Sequence, residues 1–154
     1  MGKKKGGGSA PAPAFAAADA DDAETLAALL AANPAVAASR NSDGWTPLHA
    51  ACFAGATDCV ALLLGAGADI KSVCSDGDTP AHYAAAQGHV EVVRALVAKG
   101  GAALLDRADN DGESVYDVAL SAKVKRKIEE IAAAAAAAAE EEGGDEDDEG
   151  GEGE

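Results

Sequence analysis

The chain has 154 residues, enough for one compact domain with additional flexible ends. Its net charge is −15, but residues 140–154 hold ten acids and no base, so residues 1–139 carry only the remaining −5. Such an acidic chain repels phosphate groups and anionic lipids, which argues against a protein that binds nucleic acids or membranes.

The apolar residues are mostly small. Hydrophobic residues make up 48% of the chain and aromatic residues only 3%, a balance typical of closely packed helices. No apolar run approaches the roughly 20 residues that span a bilayer. The three cysteines, Cys52, Cys59 and Cys74, form no CxxC pair and indicate reduced thiols. We therefore expect a cytoplasmic or nuclear protein, with a chloroplast location as the alternative, because residues 1–18 contain no acid.

The predicted elements begin after a low-complexity start. Residues 1–18 contain the run KKKGGGSAPAPA and predict a disordered basic arm rich in Gly, Ala and Pro. Glu24–Ala32 follows as a predicted helix with Leu26, Leu29 and Leu30 on one face. Asn33 and Pro34 end this helix.

The centre of the chain contains a repeat with a period of 33 residues. The stretch SDGWTPLHAACFAGATDCVALLL from Ser42 aligns with SDGDTPAHYAAAQGHVEVVRALV from Ser75. The identical pairs are Gly44 and Gly77, Thr46 and Thr79, Pro47 and Pro80, His49 and His82, and Gly55 and Gly88. Two copies in register predict two structural units of the same kind.

Each copy predicts a turn and two helices. Asp-Gly suits a tight turn, and Thr46 is placed to cap a first helix that has Pro47 at its first position. Gly55 ends that helix. A second helix is predicted from about Thr57 to Leu64, with apolar residues facing the core.

A degenerate third copy of the turn follows. Asn110-Asp111-Gly112 restarts it with a two-residue insertion, and Ser114 and Val115 stand where the capping Thr and the Pro would be. A final helix is predicted over Lys123–Ile131, and the alanine run after it favours a helical extension over residues 132–142. Residues 143–154 alternate acids and glycines and predict a disordered acidic tail.

The 33-residue period with T-P-L-H-x-A resembles the ankyrin-repeat family. The resemblance implies an all-α solenoid of helix-turn-helix repeats with β-turn or hairpin loops between disordered termini. The domain would cover residues 19–131: an N-terminal cap 19–41, repeats 42–74 and 75–107, and a C-terminal cap 108–131. It also implies that His49, His82 and His89 are structural. No catalytic cluster, cofactor or metal is expected.

The resemblance further implies which residues contact a partner. In ankyrin stacks the turn tips and the exposed side of the first helices form the binding surface. Trp45 and Phe53 are aromatic residues of the type enriched at binding hot spots, although Trp45 could instead lie across the neighbouring turn. The predicted partner-binding residues are Ser42, Asp43, Trp45, Phe53, Ser75, Asp76, Asp78, Gln87, Asn110, Asp111 and Glu113.

The predicted function is protein–protein interaction as an adaptor, scaffold or inhibitor, without enzymatic activity. We expect a monomer that binds another protein with a basic surface, because the turns are acidic. The alternative is a chaperone or escort that holds a basic client with its acidic tail. The tail could also serve only for solubility, or fold back on the basic residues of the last helix.

Overall fold

The computed structural model describes the backbone of residues 13–152 and the side chains of residues 13–138. This part of the chain contains seven α-helices, two 3-10 helices and no strand. The α-helices are α1 (Pro13–Asp19), α2 (Ala23–Ala32), α3 (Pro47–Ala54), α4 (Thr57–Gly65), α5 (Pro80–Ala86), α6 (Val90–Gly100) and α7 (Ala122–Glu152). The 3-10 helices are Pro34–Ala38 and Ala102–Asp106.

The helices form two layers. The first helices of successive repeats, α1, α3 and α5, pack side by side, and the second helices, α2, α4, α6 and α7, pack behind them in the same order. Each first helix also packs against the second helix of its own repeat, as α3 does against α4. This arrangement confirms the predicted all-α stack of helical repeats.

The start of α3 shows why the TPLH motif makes a helix begin. The backbone N–H of Thr46 donates to Nδ1 of His49 at 3.1 Å, and the N–H of His49 points back to the Thr46 hydroxyl at 3.4 Å. Pro47 occupies the first helical position, where no N–H is needed. Gly55 ends α3 with φ of +74°, a conformation that suits glycine.

The three histidines join neighbouring repeats, as the sequence predicted for structural residues. Nε2 of His49 lies 3.0 Å from the carbonyl oxygen of Asp78, and Nε2 of His82 lies 3.0 Å from that of Glu113. Nε2 of His89 reaches the carbonyl oxygen of Phe53 at 3.1 Å. Because Nδ1 of His49 accepts from Thr46, its Nε2 carries the proton and donates. Each of the three bonds therefore connects one repeat to the next.

The N-terminal boundary differs from the prediction. Residues 13–18 were predicted as part of a disordered arm, but they form most of α1 and pack against α3. Phe15 is only 6% exposed and Ala18 is fully buried. The prediction was wrong there because α1 gains its stability from burial rather than from a recognisable cap. Residues 1–12 of the predicted arm lie outside the described residues.

The C-terminal unit also differs in part. Residues 115–118 form turns where the earlier repeats have a first helix, since Val115 replaces the proline that begins α3 and α5. The predicted helix Lys123–Ile131 lies within α7, which includes the alanine run. The backbone of α7 continues as helix to Glu152, through part of the segment 143–154 predicted as disordered, because the alanine helix is simply prolonged. Residues 153 and 154 lie outside the description.

Candidate functional site

The turns before the first helices lie in a row along one edge of the stack. We call the turn row the residues Ser42, Asp43, Ser75, Asp76, Asn110, Asp111 and Glu113. All are exposed except Asp43, which is half-buried. The turn row thus contains seven of the eleven residues that the sequence predicted to contact a partner.

The first and third turns are each held by the side chain of their own first residue. Oδ1 of Asp109 accepts the backbone N–H groups of Asp111 and Glu113, each at 2.9 Å. Oδ1 of Asn41 does the same for Asp43 and Trp45 two turns earlier. These bonds hold the backbone at the tips of the first and third turns.

Hydrogen bonds also tie successive turns together. The backbone N–H of Ser75 donates to the carbonyl of Asp43 at 2.9 Å, and that of Asn110 donates to the carbonyl of Asp76 at 3.0 Å. The side-chain amide of Asn110 adds a bond to the carbonyl of Ser75 at 3.1 Å. The backbone of the turn row is therefore held in place by hydrogen bonds between successive turns.

Trp45 does not belong to this surface, and the prediction that it faces outward was wrong. Its side chain is only 2% exposed and packs between Phe53 and Tyr83, with ring centroids 5.6 Å and 4.7 Å away. Its Nε1 donates to the hydroxyl of Tyr83 at 3.3 Å. Tyr83 lies in α5, so Trp45 packs against the first helix of the next repeat rather than across the neighbouring turn, which was the alternative that the sequence left open.

Asp78 was also predicted to face a partner, and it is fully buried. It occupies the position of Trp45 in the next repeat, between the turn glycine and the capping threonine. Both side chains are covered by the repeat that follows them: Trp45 by Tyr83, and Asp78 by Asp109, which approaches it within 4.8 Å. Glu113 holds the same position in the last turn and is exposed, because no further turn covers it.

The first helices contribute two predicted residues. Gln87 is exposed at the end of α5. Phe53 is half-buried, with one side of its ring against Trp45 and Tyr83. The C-terminal unit adds Leu120, which sequence reasoning missed and which is 63% exposed. The repeat register could not have revealed it, since Leu120 aligns with Cys52 and Ala85, which are both fully buried.

Three groups of Asp, Glu, His or Cys side chains at the turns have potential metal-ligand atoms within 4.8 Å of one another. The groups are Cys74, Asp76 and Asp78; Asp78, His82 and Asp109; and Asp109, Asp111 and Glu113. In the central group both ring nitrogens of His82 already bond to Thr79 and to Glu113. Oδ1 of Asp109 likewise accepts two backbone N–H groups. These side chains stabilise the turns through hydrogen bonds, and we assign no metal to them.

The cysteines are packing residues. Cys52 and Cys59 are fully buried, and burial raises the pKa of both thiols, that of Cys59 to about 12. Cys74 is 7% exposed and its Sγ lies 3.2 Å from the hydroxyl of Tyr83. A thiol with a raised pKa holds little thiolate at neutral pH, so Cys52 and Cys59 are poor nucleophiles.

Comparison with known proteins agrees with this architecture. The family model described as ankyrin repeats (many copies) matches residues 14–64 and 48–97, which together span more than half of the chain. The first match begins inside α1, so it includes residues 14–18, which the sequence predicted as part of an arm. No curated protein matches the chain. Among the described residues, no helix has both the length and the apolar character needed to cross a membrane.

Proposed function

The chain belongs to the ankyrin-repeat family, and on this premise we propose that it binds a basic segment of a partner protein along the turn row. Ankyrin repeats generally mediate protein–protein interaction, and the family is typically not enzymatic. We propose the same for this chain, which would act as a monomeric adaptor, scaffold or inhibitor.

The proposal rests on one observation: exposed carboxylates lie on turns whose backbones are joined by hydrogen bonds. Asp76, Asp111 and Glu113 are exposed at the tips of two turns that are joined by the bond from Asn110 to the carbonyl of Asp76. Opposite charges across an interface speed association and select the partner. A segment with several Lys or Arg residues is therefore the partner that this surface favours.

The first-helix ends give the partner apolar contacts beside the acidic row. Phe53 offers the free side of its ring, and Leu120 is largely exposed in the last unit. Gln87 lies between them along the stack and adds a side-chain amide. We propose that these residues contact the apolar side chains of the partner, while the carboxylates hold its bases.

The test is affinity capture from native lysate with the full chain and three variants. The first variant neutralises the row by Asp76→Asn, Asp111→Asn and Glu113→Gln. Its matched control removes three charges elsewhere, by Glu91→Gln, Glu129→Gln and Glu130→Gln, all on exposed positions of second helices. The third variant ends at Glu142 and lacks the acidic tail.

We expect the row variant to lose its basic partners, while the control and the truncated chain keep them. Loss of the same partners on truncation alone would instead support the escort hypothesis and contradict ours. Equal loss in the row variant and its control would mean that total charge, rather than the turn row, holds the partner.

A further inference from the structure

A groove on the other layer of the stack, between α2 and α4, has no part in the proposed function. It forms a cavity of about 900 Å³, and we call it the outer groove. Leu30 and Leu62 provide its large apolar side chains, and Ala27, Ala31 and Ala61 are among its small ones. Because the alanines leave space, the second helices of these two repeats expose apolar surface between them.

The next pair of second helices lacks the same opening in its sequence. With the 33-residue offset, Ala61 of α4 and the C-cap residue Ala66 correspond to Arg94 and Lys99 of α6. Arg94 is largely exposed and pairs with Glu91 at 3.3 Å. The repeat plan therefore tolerates long charged side chains at these positions, and the alanines of α4 are not required by the fold.

The outer groove is charged at one end. Of its eleven lining residues, Glu24 and Asp58 are acidic and the other nine are uncharged. Both acids lie in the first turns of their helices. The carboxylates of Asp21 and Asp22 help to raise the pKa of the Cys59 thiol, which is next to Asp58 in the chain. The negative charge is therefore concentrated at the starts of the two helices.

We propose that the outer groove binds an amphipathic helix of a partner protein, with basic residues at the end that faces Glu24 and Asp58. Large aliphatic side chains at helical spacing would lie on Leu30 and Leu62. Lysine or arginine at one end of the helix would match the acidic end of the groove. The site would be separate from the turn row, because it is built from second helices.

The probe is a synthetic helical peptide made of Leu and Lys, with Leu at positions i, i+3, i+4 and i+7 and with its Lys residues grouped at one end. The full chain, labelled with ¹⁵N, is titrated with this peptide, and amide shifts are mapped. We expect saturable shifts confined to α2 and α4. A second peptide with the Lys residues at its opposite end should bind in the reversed direction, which a spin label at one terminus would detect.

Two variants block the groove and one controls for charge. Ala61→Arg places in α4 the residue that α6 already carries, and Ala61→Leu fills the space without adding charge. Both are expected to weaken binding at least tenfold. Ala98→Arg adds the same charge at an exposed position of α6 and should leave the affinity unchanged. The turn-row variant should also bind the peptide normally, which separates this inference from the proposed function.

Four results would overturn the inference. The first is the absence of saturable binding at millimolar peptide. The second is a set of shifts centred on the turn row or on the C-terminal acidic segment. The third is unchanged affinity in both Ala61 variants, each shown to be folded by its spectrum. The fourth is an unchanged peptide affinity in the double variant Glu24→Gln with Asp58→Asn, which would reject the charge match and with it the stated partner.

Discussion

The indole Nε1 of Trp45 donates a hydrogen bond to the hydroxyl of Tyr83 at 3.3 Å, and so joins two successive repeats inside the core. The two rings lie 4.7 Å apart, centroid to centroid. Trp45 therefore belongs to the interior of the stack, and its replacement should act on stability.

We expect Trp45→Ala to lower the free energy of unfolding by about 3 to 5 kcal/mol, as large aromatic truncations in cores do. Trp45→Phe, which keeps a ring but loses the donor, should have a smaller effect. Urea denaturation followed by circular dichroism measures both. Phe53→Ala is the control, because its half-exposed ring should lose less. A loss below about 1 kcal/mol in Trp45→Ala would contradict the burial described here.

Stability should fall in mild acid because of His49. Burial lowers the pKa of His49 to about 4, although its bond to the carbonyl of Asp78 opposes the shift. The unfolded chain takes up this proton near pH 6.5, before the folded one does, so stability is fully present above pH 6.5 and falls as the pH drops towards 4. The difference corresponds to about 3 kcal/mol.

Unfolding free energies of the wild type and His49→Gln between pH 4 and 7.5 would measure this contribution. The variant is less stable at neutral pH but lacks the titrating ring. Its curve should therefore be flatter over this interval, because it loses the histidine part of the slope. Parallel curves for the two proteins would mean that His49 does not have the lowered pKa.

Two glycines separate backbone strain from steric clash in the turns. Gly77 has φ of +81°, and a Cβ there would lie 2.8 Å from the backbone nitrogen of Asn110. Gly67 has φ of +89°, and nothing lies within 4 Å of a Cβ placed there. Gly67→Ala should cost about 1 to 2 kcal/mol from strain alone. Gly77→Ala should cost clearly more, since it also pushes the third turn away.

Thermal and urea unfolding of the two glycine variants would test this ranking. The tie from Asn110 to the carbonyl of Asp76 should also be lost in Gly77→Ala, and the amide of Asn110 should then exchange faster with solvent. Equal destabilisation of the two variants would show that the turns do not press on each other.

The N-terminal helix offers a fourth prediction. Phe15 is 6% exposed, and α1 packs along α3. We expect Phe15→Ala to destabilise the protein by about 3 kcal/mol or more, as for other buried phenylalanines. The exposed Ala16→Ser on the same helix is the control. Denaturation curves that coincide for wild type and Phe15→Ala would mean that α1 does not contribute to the domain.

The repeat period was enough to predict the central helices from sequence. The capping pair of Thr46 and His49 and the C-cap Gly55 fix the first helix locally, so α3 and α4 lie within one residue of the expected bounds. The family model confirms the assignment. Caps of this kind can be predicted from the sequence because the residues that form them are only a few positions apart.

The first helix of the N-terminal unit was missed because its sequence signals are weakened. Pro13 lies 34 residues before Pro47, in register with it, but the capping threonine is Ala12 in the sequence. Asp21 takes the place of Gly55 and adopts the positive φ, +55°, that glycine usually provides. Two of the three residues that mark a first helix are replaced, and the burial of α1 against α3 shows that it belongs to the stack.

The direction of Trp45 and Asp78 could not be read from their own repeat. Both side chains are buried by residues of the following turn or helix, which lie more than 30 positions away. The repeat alignment places the two residues at one position but does not say what covers it. The exposed residues of the turn row were easier to predict, because they lie at the tips of turns.

The histidine bonds described above also bear on the order of folding. His49 and His89 both cross the junction between the two complete repeats, where Trp45 also meets Tyr83, whereas His82 alone among them crosses to the last unit. None of these bonds can form before its neighbour is in place. We therefore expect the central junction to assemble first and the outer units to fray first, so that amide protection is highest in α3 and α5 and declines towards both ends.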